Sequence, residues 1–218
     1  MATDPLLHIS ETFYSIQGES RFAGYPCFFI RLAGCNLRCS YCDARYTYEE
    51  PGRPMAMAAL LAEAARYPGG LVEITGGEPL LQDNVHPLME GLLAAGHPVL
   101  LETNGSIDLA RVPAGVIRIM DIKCPDSGMH DHLHPENLEL LTPRDEIKFV
   151  IGSRRDYEWA KGMIERHALT AKARLVFSPV ISRLVPATLA GMILADRLQV
   201  RLQLQLHTIL WPERSRGV

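Results

Sequence analysis

Three cysteines set directly behind an apolar, β-branched stretch narrow most what this 218-residue chain can become. Cys27-Phe28-Phe29-Ile30-Arg31-Leu32 reads as a strand, and Cys35, Cys39 and Cys42 follow it with C-x3-C-x2-C spacing. Structural zinc is normally closed by four Cys or His ligands, so three thiols with no fourth cysteine nearby leave a tetrahedral site unfinished. Three thiolates fit a [4Fe-4S] cube with one iron free for a non-protein ligand, although such clusters usually take four cysteines. A zinc loop completed by Cys124, Cys27 or one of the eight histidines is the alternative. Cys27 opens a strand and reads better as a small buried residue than as that fourth ligand.

Further short apolar or β-branched runs recur at 71–75, 99–103, 116–122, 146–151, 174–177 and 200–206. Several are apolar throughout, as strands buried on both faces tend to be. Helical patterns separate many of them, at 55–67, 84–95, 157–167 and 186–198, with Gly69-Gly70 and Gly96 behind two of the helix ends. Strand alternating with helix predicts βα units and a mostly parallel sheet. The stretch 124–143 reads as a loop with at most one short helix. Evenness of composition and the lack of a Gly-, Ser- or Pro-rich linker predict one domain over 1–218. The pattern itself does not separate an open sheet from a barrel.

Five cysteines, three of them bunched in one loop, make a poor disulfide framework, and a chain of this length buries a core without staples. The N-terminal MATDPLLHISETF has neither the basic nor the apolar region of a signal peptide, and no run approaches the roughly 18 apolar residues of a membrane span. A cytoplasmic location is expected, where thiols stay available to metals. With 22 basic and 25 acidic residues the net charge is −3, which gives no basic stripe for nucleic acid. A small-molecule partner is expected.

A second signal closes the run at 71–75: Thr75-Gly76-Gly77-Glu78-Pro79. Two glycines let a ligand approach the backbone, and Pro79 stiffens the exit. Taken alone this is also what an ordinary β-to-α turn looks like. Both motifs, however, fall at carboxyl ends of strands, where parallel α/β folds put their active sites.

The cysteine loop and the GGEP turn together resemble the radical S-adenosylmethionine superfamily. Within it, further stretches are similar to the 7-carboxy-7-deazaguanine synthase family: Tyr14-Ser15-Ile16-Gln17-Gly18-Glu19-Ser20, Phe28 to Gly34, Cys42-Asp43, Glu102-Thr103-Asn104-Gly105 and Gln205-Leu206-His207. The likeness runs from about residue 11 to about 212. It implies a partial (β/α) barrel. It also implies that a reduced cluster cleaves S-adenosylmethionine and that the resulting radical takes a hydrogen from 6-carboxy-5,6,7,8-tetrahydropterin. The ring then contracts to 7-carboxy-7-deazaguanine with loss of ammonia, for deazapurine products such as queuosine. A small glycyl-radical-enzyme activase shares the cysteine triad and is the rival enzyme reading. A homodimer and a one-electron reductant such as flavodoxin are family expectations.

By the same resemblance Cys35, Cys39 and Cys42 would ligate the cluster, thiolates being the soft donors that Fe–S takes. Tyr41, Asp43, Gly77, Glu78, Asp121, Ile122, Lys123, Ser178 and Pro179 would border S-adenosylmethionine. Ile16, Gln17, Gly18, Glu19, Arg31, Thr75 and His207 would meet the pterin, with Arg31 offering a planar fork for its carboxylate. The family commonly has Thr or Ser two residues after the last cysteine, as a magnesium ligand. Here that residue is Ala44, leaving Asp43, Thr47 or water alone as candidate magnesium donors. Cys124, just after Lys123, has no role that the sequence decides.

Overall fold

Alternation of side chains along parallel strands builds the architecture, giving each strand one face toward helices and one toward a cavity. The computed structural model describes residues 4–218, so Met1 to Thr3 of the N-terminal stretch lie outside it. Its strands in chain order are β1 (Leu6–Ile16), β2 (Pro26–Leu32), β3 (Arg53–Ala56), β4 (Leu71–Gly76), β5 (Val99–Thr103), β6 (Ile117–Ile122), β7 (Glu146–Ile151), β8 (Arg174–Pro179) and β9 (Arg201–Leu202). The helices are α1 (Tyr46–Glu49), α2 (Met57–Ala64), α3 (Val85–Ala94), α4 (Asn137–Leu140), α5 (Arg154–Arg166), α6 (Pro186–Asp196) and α7 (Leu206–Leu210).

All nine strands join one sheet in the order β3-β1-β2-β4-β5-β6-β7-β8-β9. From β2 to β9 the neighbours are parallel, while β1 is antiparallel to both β2 and β3. The two edge strands do not meet, so this is the expected partial barrel. Across its open side runs the segment after β1: the Arg21 amide donates to Glu146 Oε1 at 2.8 Å, and Lys148 Nζ meets Glu19 Oε2 at 2.8 Å.

The outer faces of the strands carry the main core. Ile30, Leu32, Val72, Ile74, Leu101 and Phe149 join Leu60 of α2, Leu88 and Leu92 of α3, Tyr157 and Ala160 of α5, and Leu189 of α6. Each fully buried side chain of this size contributes about 1.5–3 kcal/mol over exposure. Inside the barrel a smaller apolar plug of Cys27, Phe29, Leu71, Leu100, Ile117 and Ile119 forms a floor. Above it the inward residues turn polar: Arg31, Glu73, Thr75, Glu102, Asp121 and Lys148.

Three expectations need correction. The run at 200–206 pairs only through Arg201–Leu202; Leu206 N then donates to Gly18 O at 3.1 Å and the chain turns into α7. The helix expected from residue 55 starts at Met57, because Arg53–Ala56 pairs with β1 as β3. The longest strand, β1, is missing from the sequence reading. Its LLHISETFYSI mixes polar and apolar residues, as an outlying antiparallel strand does, whereas the buried parallel strands read as apolar blocks.

Candidate active site

The cysteine loop leaves the carboxyl end of β2 and is pinned on three sides. Gly34 N donates to Thr47 O at 2.6 Å, and Glu78 N donates back to Gly34 O at 2.9 Å. Asn36 Nδ2 reaches Ser106 Oγ at 2.8 Å, while Asn104 Nδ2 donates to Asn36 Oδ1 at 3.1 Å, which ties in the turn after β5. On the far side Ser40 N and Oγ donate to Ser127 O and Asp126 O, in the turn after β6.

Both glycines of the turn after β4 are required by this packing. Gly76 has φ +140°, and a Cβ there would lie 2.2 Å from Leu32 O; at Gly77 it would lie 2.0 Å from Gly34 O and 2.6 Å from Cys35 Cβ. The turn is thus a close seat for the cysteine loop as well as an open approach for a ligand.

Cys35, Cys39 and Cys42 are free thiols, half-buried, on the wall of a cavity of about 700 Å³. Burial pushes the Cys39 thiol up to about 11 against the pull of Lys123, and burial raises Cys42 as well. Metal binding takes thiolates, so iron uptake here releases protons. Among the described residues no three His, Cys, Asp or Glu side chains converge enough to hold a single metal ion. In a cube each cysteine binds its own iron, so thiols spread along one wall suit a cluster better than a single zinc.

Asp121 and Lys123 leave β6 on the same wall, with Lys123 Nζ 2.8 Å from Asp121 Oδ2. The other carboxylate oxygen, Asp121 Oδ1, is buried without a hydrogen-bond partner in the structure. An open acceptor on a cavity wall fits a hydroxyl donor such as a ribose. Tyr41, Asp43, Gly77 and Pro179 also line this part.

Glu78, Ile122 and Ser178 stand behind the wall. Glu78 is fully buried, accepting from Thr103 Oγ1 at 2.9 Å, Asn104 N at 2.7 Å and Leu80 N at 3.1 Å. Burial lifts its pKa to about 7, with those donors pulling the other way. Its carboxyl therefore ties the turns after β4 and β5 together. Ile122 belongs to the outer core, turned away from the cavity by the strand alternation, whereas Ser178 shares the inward register of Val150 but is buried and does not reach the cavity surface.

The deeper half of the cavity is lined by Ile16, Gln17, Gly18, Glu19, Arg31, Thr75 and His207. Arg31 Nε donates to Glu11 Oε1 at 2.9 Å, and Tyr46 Oη donates to the same oxygen at 2.9 Å. The outer guanidinium nitrogens have no hydrogen-bond partner among the described residues, so a carboxylate can take them. Lys148, which the sequence reading assigned no role, sits among Glu19 at 2.8 Å, Glu102 at 2.5 Å and Asp121 at 3.5 Å. Burial opposes its charge, but the three carboxylates raise its pKa well above the usual lysine value. Burial likewise works against the Glu102 carboxylate, yet Lys148 wins and its pKa falls to about 2. A lone lysine in the apolar run EIKFVI was the available signal for this network.

The candidate magnesium donors narrow to Asp43 and water. Ala44 has no donor atom, and the Thr47 hydroxyl donates to Ala44 O at 2.7 Å in a residue 1 % exposed. Asp43 alone offers an oxygen from the expected set.

The Radical SAM superfamily matches over residues 29–121, from the inner face of β2 to the inner acid of β6. A 7-carboxy-7-deazaguanine synthase of Koribacter versatilis is 46% identical over 97% of this chain and 100% of its own length. This chain belongs to the 7-carboxy-7-deazaguanine synthase family. A member from Chlorobaculum tepidum is also 46% identical, over 100% of both chains. The crystal structure of QueE from Escherichia coli superposes with a TM-score of 0.74 at 26% identity, covering 92% of this chain and 94% of that one. Streptococcus suis SuiB bound to S-adenosylmethionine shares the fold, with TM-score 0.52 and 14% identity over 82% of this chain and 50% of its own. As a radical SAM enzyme the chain uses a [4Fe-4S] cluster and S-adenosylmethionine, acts on a small molecule and needs a reductant. The curated relatives carry the synthase name, so the activase reading is not favoured. Among the described residues no helix is long and apolar enough to cross a membrane.

Proposed function

We propose that this chain converts 6-carboxy-5,6,7,8-tetrahydropterin to 7-carboxy-7-deazaguanine and ammonia, in a deazapurine pathway such as that to queuosine. The observation that carries the reading is one continuous cavity whose rim holds three free thiols and whose interior holds Arg31, Gln17 and Glu19. When bound, cluster and S-adenosylmethionine supply one-electron chemistry able to remove a hydrogen atom from an unactivated carbon.

The chain's own residues then bind, orient and exclude water. Cys35, Cys39 and Cys42 hold the cluster as thiolates. Gly77 gives the methionyl end room, while Tyr41, Asp43, Asp121, Lys123 and Pro179 border the rest of that cofactor. Glu78, Ile122 and Ser178 act on it through the backbone they fix. Arg31, steadied by Glu11, takes the pterin carboxylate in a two-pronged grip. Ile16, Gln17, Gly18 and Glu19 meet the donor-rich ring edge, Thr75 adds a hydroxyl, and His207 closes the cavity from α7. Phe29, Ile119 and Val150 give apolar walls that limit water around the reacting carbon.

One uninterrupted sheet supports reading the chain as a single domain. A homodimer and a flavodoxin-type reductant belong to the same reading on family grounds. No step in it is routed through magnesium, for which Asp43 is the remaining side-chain donor. The test is anaerobic incubation of cluster-loaded protein with reductant, S-adenosylmethionine and the carboxytetrahydropterin. Formation of the deazaguanine chromophore is expected; S-adenosylmethionine cleavage without that product would refute the assignment.

A further inference from the structure

Three acids project into the cavity from the strands β4, β5 and β6, and two of them have a cation. Glu102 pairs with Lys148 and Asp121 with Lys123. Glu73 of β4 has no cation within ion-pair distance among the described residues, although it is only 4 % exposed. It lies opposite Phe29 in the β2–β4 register, just above the apolar floor of Cys27, Leu71, Leu100 and Ile117. A buried, unpaired carboxylate there would be costly. Burial, with Glu102 and Glu19 adding to it, keeps the group protonated well above the usual range. A neutral acid on that floor is a hydrogen-bonding device.

Its partner is Gln17, itself 3 % exposed and on the cavity wall. Gln17 Nε2 donates to Glu73 Oε2. The amide cannot simply turn over, because its Oε1 accepts from Glu19 N at 3.0 Å. The Gln17 backbone is also held, donating to Tyr25 O and accepting from Gly24 N, both at 2.8 Å. One amide N–H and one lone pair are then left for a ligand.

We propose that Glu73 is a positioning residue for the substrate ring, fixing through its bond to Gln17 Nε2 which edge of the Gln17 amide meets the pterin. This rests on the reading of the inner cavity as the pterin site. Glu73 acts through Gln17, so its loss weakens ring binding and leaves S-adenosylmethionine binding alone.

The test is steady-state turnover of the pterin by cluster-loaded wild type, Glu73→Gln, Glu73→Met, Gln17→Met and the Glu73→Met/Gln17→Met double variant, with S-adenosylmethionine affinity measured on each. Glu73→Met, which keeps length and loses the acceptor, is expected to raise the pterin KM about tenfold, the scale of one hydrogen bond. Glu73→Gln, which keeps an acceptor, restores it to within about threefold. The double variant is no worse than Gln17→Met alone, as expected of two residues acting as one unit. If Glu73→Met fails to fold, Glu73→Asp serves in its place, since it withdraws the acceptor by one methylene. An unchanged KM in the acceptor-deficient variant, or losses that multiply in the double variant, would overturn the proposal while wild-type turnover keeps the family reading intact. No deazaguanine from wild type would overturn both.

Discussion

A carboxyl lifted to about 7 by burial makes Glu78 a pH handle on the cluster-free fold. Its ordinary value is 4.5, so between pH 4.5 and 7 the folded state keeps a proton that the unfolded state has released. Stability therefore falls as pH rises through that window, by up to about 3 kcal/mol from this one group. Glu102, lowered to about 2, has the opposite sign but acts only below its ordinary 4.5. Glu78→Gln should reduce the pH 5 to 7 dependence of the urea midpoint, the raised Glu73 carboxyl acting with the same sign and leaving a remainder; an unaltered slope would show that Glu78 ionises normally. Cys39→Ala is expected to abolish turnover and cut iron and sulfide uptake, and a fully loaded, active variant would contradict the triad's role. Chelation with EDTA should leave turnover within about threefold, whereas Ala44→Thr restores an oxygen donor and should introduce a magnesium response. Strong magnesium dependence of the wild type would mean that Asp43 and water suffice. At this scale the motif residues were legible because glycine, cysteine and proline have few interchangeable uses. Glu73 and Lys148 were not, since a single charge inside an apolar strand gives no hint of the opposite wall that meets it.

At the scale of elements, the turn after β4 decides whether the cysteine loop can dock. Gly77→Ala places a methyl 2.0 Å from Gly34 O, an overlap with backbone that no rotamer relieves. A loss of about 1–3 kcal/mol, or more, is expected in thermal or urea unfolding, along with poorer cluster loading. A variant as stable as wild type would show that the two loops move independently. The parallel strands and the helices between them were readable because each is an apolar block or an amphipathic stretch of adequate length. β1 was hidden by its mixed face, and β9 shrank to two residues because 203–206 turns toward Gly18. Only the fold explains why the Gln17–Glu19 motif lies near Lys148: the antiparallel β1 delivers it to the open side of the barrel.

For the molecule as a whole, an unclosed barrel leaves a cavity that needs covering, and the C-terminal segment covers part of it. Gln205 Nε2 donates to Glu19 Oε1 at 2.8 Å, and His207, Arg214 and Val218 line the cavity. None of the residues of α7 is buried, so the segment adds little to the core. Removing residues 206–218 should leave the melting temperature within a few degrees while pterin affinity falls at least about tenfold and S-adenosylmethionine binding persists. Equal loss of both ligands would mean that the segment serves general folding. Three strand-end thiols carrying a cluster beside the Arg31 chamber are what the chemistry of this molecule depends on. Iron, acid-labile sulfide and zinc counted on anaerobically purified protein test this most directly. About four irons and four sulfides per chain are expected; one zinc without sulfide would contradict it.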